Sequence, residues 1–262
     1  MPTDDEISRM YADEYFEEGG AWVCGYWKGG YLSNEQKLRR EARSALTLLP
    51  ATGRRLLEIG AAGGFFLDEA RSAGYSVTGI ELNETMAEWG RSALGLHMIT
   101  GSFEATELDV ASFDVIVAQD VLEHVRDPRE FVARVARLLA AGGVFLVRGP
   151  LEQSWKDSIF RTLRRFRQQS QEVIKEPPYH LQGFVRSSFR RLIEGSGLSL
   201  TQFQTTAAKP RVDLTSPKAM AATAIEILAF GANRLTAHGD FMVGCATRNQ
   251  PERGRNPLLG NG

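Results

Sequence analysis

Residues 56–66, LLEIGAAGGFF, are a short apolar run cut by glycines and followed at once by a second apolar run. A chain with this pattern must leave a buried strand through a tight turn and enter a helix directly. Strand-length runs recur at Tyr75–Glu81, Leu96–Thr100, Phe113–Ala118 and Val144–Arg148, with helical patterns between them. Parallel neighbours need such crossovers, so the alternation predicts a doubly wound α/β fold with helices on both faces of a mostly parallel sheet. The 262 residues are ample for one such core, and 43% hydrophobic with 24% charged excludes a disordered chain. A formal charge of −1 argues against a global field for nucleic acid. Two cysteines, Cys24 and Cys245, make no disulfide scaffold or zinc cluster. The polar start, MPTDDEISRM, and the lack of a long apolar run predict a cytoplasmic protein.

The flanking elements follow from caps and periodicity. Ser33-Asn34-Glu35-Gln36 has capping-box form and predicts a helix to about Leu49. Phe65–Ala73 reads as helix, Asn83 caps a helix to Leu94, and Asp127-Pro128 starts one that Gly142-Gly143 should end. Ser187–Glu194 and about Pro217–Leu235 read as helices, Leu198–Thr205 and Asp240–Thr247 as strands. The division expected is an N-terminal lid and helix over 1–50, a ligand-binding domain over 51–248 with an insertion at 151–186, and a flexible tail over 249–262. Seven early aromatics, Tyr11, Tyr15, Phe16, Trp22, Tyr26, Trp27 and Tyr31, are expected to pack onto the body.

The glycine turn narrows the ligand. A nicotinamide dinucleotide fingerprint needs glycine at 60, 62 and 65, where this chain has Gly60, Ala62 and Phe65. No Gly-Lys-Ser/Thr follows for a phosphate cradle. What remains is Glu58 at the strand end, able to receive a cationic amine, and Glu81 about twenty residues on, suited to the hydroxyls of a ribose.

Glu58-x-Gly60-x-Ala62-x-Gly64 resembles the first motif of class I S-adenosylmethionine-dependent methyltransferases. GYSVTGIELNETM, FDVIVAQDVLEHV and LLAAGGVFLVRGP resemble their second, fourth and fifth strand regions. PPYHLQGFVRSSFRRLIEGSGL and the YADEYFEEGG start resemble the ubiquinone-biosynthesis-like small-molecule O-methyltransferase branch. The resemblance implies seven strands with the last reversed, and S-adenosylmethionine as cofactor. It implies that Glu58, Gly60, Ala61, Ala62 and Gly64 hold the methionine portion. Glu81 with Leu82 would hold the ribose, Ser102 and Phe103 the adenine, and Gln119 the methionine tail. Ser102 stands where many relatives have aspartate, and Ala62 where they have glycine.

His124 and His180 are the candidate bases for an acceptor hydroxyl, while His97 and His238 read as structural. Asp120, Glu123 and His124 resemble a divalent-metal cluster of some relatives, yet no metal is assigned. Phe65, Phe66, Trp155 and Tyr179 are candidate walls. The expected reaction is methyl transfer to a small-molecule acceptor, most simply a hydroxyl of a natural product, sugar or quinone-like ring. Lys156–Lys175 reads as a basic amphipathic helix with Ile159, Phe160, Leu163 and Phe166 on one face. It and the apolar Pro217–Leu235 helix leave a transient membrane-surface contact open. An RNA or protein methyltransferase and a non-catalytic S-adenosylmethionine-binding protein remain the rival readings; nucleic acid is disfavoured by the charge balance.

Overall fold

The computed structural model describes Phe16 and residues 30–49, 55–152, 180–207, 209–210, 212–236 and 238–248. The basic 156–175 segment, Trp155 and Tyr179 therefore lie outside the described residues. In chain order the elements are α1 Gly30–Ser33, α2 Glu35–Leu46, β1 Arg55–Ile59, α3 Phe65–Ser72, β2 Ser76–Glu81, α4 Glu84–Leu94 and β3 Met98–Thr100. Then come β4 Phe113–Gln119, a short 3-10 turn at Leu122–His124, α5 Pro128–Leu138, β5 Leu139–Pro150, α6 Arg186–Gly195, β6 Leu198–Thr206, α7 Pro217–Thr236 and β7 Phe241–Arg248.

The seven strands form one sheet in the order β3-β2-β1-β4-β5-β7-β6. Neighbours from β3 to β5 pair in parallel, while β7 runs antiparallel to both β5 and β6. Six strands thus share a direction and β7 alone is reversed. Strand periodicity splits the core in two. Leu57, Ile59, Ile116, Phe145 and Val147 meet Phe131, Val132 and Val135 of α5 and Phe189 and Ile193 of α6 on one face. Leu56, Val115, Val117 and Leu146 meet Ala42 of α2, Leu67 and Ala70 of α3 and Ala87 of α4 on the other. Each such Leu, Ile or Phe taken fully out of water contributes about 1.5–3 kcal/mol.

Caps place the helices. Asn83 accepts the Met86 amide at 2.7 Å, and Gly95 ends α4 in the left-handed region at φ +62°. Asp127 accepts the amides of Arg129 and Glu130 at 2.9 and 3.1 Å, with Pro128 next. Two expectations fail. The Ser33-Asn34-Glu35-Gln36 box is not made, because the Ser33 hydroxyl and the Asn34 amide both donate back to the Gly30 carbonyl of α1. Nor does Gly142-Gly143 end α5, which stops at Leu138 as β5 begins. Phe113 pairs with Leu139 and Val115 with Val144, so the intervening residues of β5 bulge, and Gly142 takes φ +75° there. The late helix α7 forms as expected, with Leu228 and Leu235 71% and 88% exposed. None of the described helices is long and apolar enough to cross a membrane.

If Asp127 holds α5 as its bonds indicate, Asp127→Ala should lose about 1 kcal/mol in a urea melt with an unchanged denaturant slope. An unchanged midpoint would remove the cap from the account.

Candidate active site

The strand order reverses between β1 and β4, where loops leave the carboxyl ends of the parallel strands in opposite directions and open a crevice. A cavity of about 1110 Å³ occupies it. Its floor is the turn after β1. Gly60 adopts φ +71°, and a β-carbon there would lie 2.6 Å from Val121 Cγ2 of the loop after β4, so only glycine lets the two loops meet. Ala62 takes φ +47°, a conformation that costs an L-residue about 1–2 kcal/mol. Glu81 holds it there: one carboxylate oxygen accepts the Ala62 amide at 2.7 Å and the other the Asn83 amide at 2.8 Å. Burial still raises the Glu81 pKa above the usual range, against those bonds.

Glu58 is 4% exposed at the end of β1. Gln119 Nε2 donates to its Oε1 at 3.3 Å, while its buried Oε2 has no hydrogen-bond partner. Burial pushes its pKa well up, opposed by Gln119 and reinforced by Glu81. The turn amides do not satisfy this carboxylate: Ala62 donates to Glu81, and Gly60 and Ala61 donate to the Ile80 carbonyl.

Beyond β3, Ser102 Oγ accepts the Ala105 amide at 3.2 Å. The Phe103 ring lies 4.9 Å from Phe131, and the Arg134 guanidinium lies 4.8 Å over the same ring. At the opposite end, Asp120 follows β4 at φ +54° and leaves Oδ1 buried without a hydrogen bond. A non-glycine residue held this way beside a cavity is a common mark of a working site. Arg148 of β5 reaches Glu41 of α2 at 3.3 Å and Asp120 at 3.8 Å. Burial raises the Asp120 pKa and Arg148 pulls it down.

Glu123 is 2% exposed, and Gly149 leaves room for its carboxylate. Burial, then the charge of Asp120, push its pKa up to about 8. His124 Nε2 lies 3.8 Å from Glu123 Oε1, and the His124 and His180 rings meet edge to face at 5.0 Å. Desolvation lowers the His180 pKa, opposed by Asp120 and Glu152. Ligand atoms of Glu123, His124 and His180 all lie within 4.8 Å of one another, a mixed carboxylate and imidazole set that suits a divalent cation. The third donor is His180, distant in sequence; Asp120, grouped with Glu123 and His124 by the resemblance, is not in this set.

Of the residues singled out in sequence, Glu58, Gly60, Ala61, Ala62, Glu81, Leu82, Ser102, Phe103, Gln119, His124 and His180 line this one cavity, as do Phe65 and Phe66. Gly64 does not. It precedes α3 at φ +84°, where a β-carbon would lie 2.5 Å from Leu96 Cδ1, so it serves packing behind the turn. His97 faces Thr78 and His238 faces Thr236, both away from the cavity lining. Tyr31, one of the early aromatics expected to pack onto the body, also lines it, as do Glu41, Arg148 and Phe241, which nothing in their local sequence marks.

A family model described as a methyltransferase domain matches residues 31–202. The chain belongs to this family. Among curated relatives, the ubiquinone biosynthesis O-methyltransferase of Caulobacter sp. (strain K31) is 34% identical over 119 residues, 43% of this chain and 47% of that protein. The chain thus spans about half the length of the curated relatives it matches. An S-adenosylmethionine-dependent methyltransferase structure from Archaeoglobus fulgidus shares the fold at TM-score 0.58 and 15% identity, covering 86% of this chain and 97% of that one. The [4+2]-cyclase SpnF shares it at TM-score 0.56 and 15% identity, covering 82% of each chain. Membership of the methyltransferase family fits the seven-stranded sheet and the glycine turn described above.

The raised Glu123 pKa has a signed consequence. As pH rises past about 4.5 the unfolded chain ionises Glu123 while the native chain does not, so its contribution to native stability falls until about pH 8. With a chelator present, Glu123→Gln should gain on wild type by up to about 1.4 kcal/mol per pH unit between pH 5 and 8. Parallel stability curves would show that Glu123 is ionised throughout.

Proposed function

We propose that this protein transfers a methyl group from S-adenosylmethionine to a small-molecule acceptor, at a hydroxyl oxygen. The observation that carries the reading is Glu58, a buried carboxylate with one oxygen unpartnered at the floor of the crevice, beside a glycine turn without phosphate-cradling features. Such a group needs a cation, and the amine of a methionine moiety supplies one. The cavity, at about 1110 Å³, is larger than the roughly 300–1,000 Å³ of most single-ligand pockets, which supports donor and acceptor sharing it.

When bound, S-adenosylmethionine supplies an electrophilic methyl on a sulfonium, so little covalent work is left to the protein. Glu58 and Gln119, with the main chain of Gly60, Ala61 and Ala62, would hold the methionine portion. Glu81 would hold the ribose hydroxyls through the lone pairs its amide bonds leave, with Leu82 beside it, and Ser102 and Phe103 would flank the adenine. His124 and His180 would take the acceptor proton, and the lowered pKa of His180 keeps that imidazole neutral at pH 7, as a base must be. Phe65, Phe66 and Phe241 would keep the reacting atoms from water. Similarity to ubiquinone biosynthesis O-methyltransferases supports oxygen as the acceptor atom, while the cyclase among the fold neighbours shows why fold alone is not enough. A crevice of this size at the carboxyl ends of the strands favours a small acceptor over RNA or protein.

S-adenosylhomocysteine at about a hundred times its Kd should raise apparent stability by roughly 2.7 kcal/mol, NAD should not, and Glu58→Gln should lose most of the gain. Stabilisation by NAD alone would overturn the proposal. With a panel of hydroxylated aromatics, assayed by S-adenosylhomocysteine release, His124→Gln should lower kcat by about 10²-fold or more at unchanged S-adenosylhomocysteine affinity. An unchanged rate would remove His124 as the base.

A further inference from the structure

Helix α7 is built inside out. Its polar residues Thr223 and Asn233 are buried, while Met220 and Ile227 of the same helix are half exposed and Leu228 and Leu235 more so. A helix lying on a globular body ordinarily turns its apolar stripe inward and its polar side to water. Eight large apolar side chains stand exposed among the described residues, and six of them lie between Val212 and Leu235. Exposed leucines scattered singly are normal in any protein, but a concentration on one helix and the segment before it marks a contact surface.

Met220, Ala224, Ile227, Leu228, Gly231 and Leu235 are all exposed, and at 3.6 residues per turn they share one sector about 100° wide. Ala229 and Asn233, both buried, point the other way. A β-carbon on Gly231 would meet nothing within 4 Å, so the stripe is open at its middle. The six residues follow one another in steps of 4, 3, 1, 3 and 4, the same read from either end. Two copies laid antiparallel about an axis between residues 227 and 228 therefore set Met220 opposite Leu235, Ala224 opposite Gly231 and Ile227 opposite Leu228. The small pairs let the backbones approach, and the large pairs fill the space at the centre and at both ends. This is the self-complementarity that a two-fold interface requires. Each helix N-terminus then lies beside the partner's C-terminus, so the macrodipoles attract.

We propose that α7 is a self-association surface, through which two copies of this chain pair antiparallel about a two-fold axis at Ile227 and Leu228. A lipid surface has no use for a stripe symmetric end to end, and helices that lie in it carry a face rich in Lys and Arg. Along α7 the charged residues are Lys218, Glu226 and Arg234 alone. A 20-residue helix is about 30 Å long, and one such pair buries an area at the small end of specific interfaces. The dimer is accordingly weak, in the micromolar range, and forms as the chain becomes concentrated.

Sedimentation equilibrium of the full chain across the micromolar range should show monomer giving way to dimer as concentration rises. Leu228→Glu alters an exposed position, so the melting temperature should hold, while two like charges meeting near the axis should weaken pairing by about 100-fold or more. Disulfide trapping reads the orientation in variants that keep most of the stripe, made together with Cys24→Ser, since Cys245 is buried. Met220→Cys and Leu235→Cys proteins should link to each other when mixed and oxidised, and neither to itself, because like positions would lie about 22 Å apart along the helices. A chain that stays monomeric at every concentration overturns the proposal, and if that monomer binds anionic phospholipid vesicles through Leu228 the stripe is a lipid contact instead. A dimer that survives Leu228→Glu places the interface elsewhere and overturns it too. Self-linking of either single-cysteine variant in place of the mixed product would overturn the antiparallel pairing.

Discussion

Two hydrogen bonds accepted by the Glu81 carboxylate decide the shape of the crevice. One oxygen takes the Ala62 amide and the other takes the Asn83 amide. The last residue of β2 thus fixes both the turn after β1 and the entry to α4. The Gly60 and Ala61 amides bond to the Ile80 carbonyl one residue earlier, so the turn is laced along the end of β2. Against that lacing Ala62 can be kept at positive φ, and with the turn fixed, Glu58 has no amide to accept. The unsatisfied carboxylate and the strained alanine have one cause. They are costs of holding the loop open, and an occupant that supplies a cation offsets the first of them.

A second set of contacts holds the opposite wall. Arg39 of α2 reaches Asp68 at 2.7 Å and Glu69 at 3.2 Å of α3, and its guanidinium lies 5.2 Å over Phe65. Its side chain is 19% exposed, so these pairs exceed ordinary surface ion pairs, though each is still screened. Glu41, one turn on from Lys37, reaches Arg148 of β5. One helix ahead of β1, α2, therefore grips the glycine turn's helix and β5 together, with Tyr31 in the short α1 just before it.

The parts legible in sequence share a physical trait: they are local. Alternating strands and helices, the Asn83 and Asp127 caps and the glycine turn all depend on residues within a few positions, and the structure places them within a residue or two of the expected bounds. Misreadings occur where a local signal had a nonlocal competitor. Gly142-Gly143 has the form of a helix stop, but pairing of Leu139 with Phe113 draws the chain into β5 early and the glycines relieve the bulge. Ser33 has capping-box form, but the short turn of α1 captures it first. Arg148 with Glu41, and His180 with His124, are joined across long stretches of sequence, and no spacing rule reaches that far.

The reversed strand β7 is last of the seven in sequence but sits inside the sheet, between β5 and β6. During synthesis β1 to β4, and with them the glycine turn, are complete as soon as residue 119 has emerged. The edge of β5 that β7 will cover, from Val144 to Pro150, must wait for residues 241–247. At about 5–20 residues per second that interval is roughly 5–20 s. For that time the nascent chain carries an apolar strand with a free row of backbone donors and acceptors, the form most prone to pair with a neighbour. The half of the crevice built on β1 and β2 is thus the first to mature, and the half that includes Phe241 is the last. The most vulnerable moment in making this protein falls between the two.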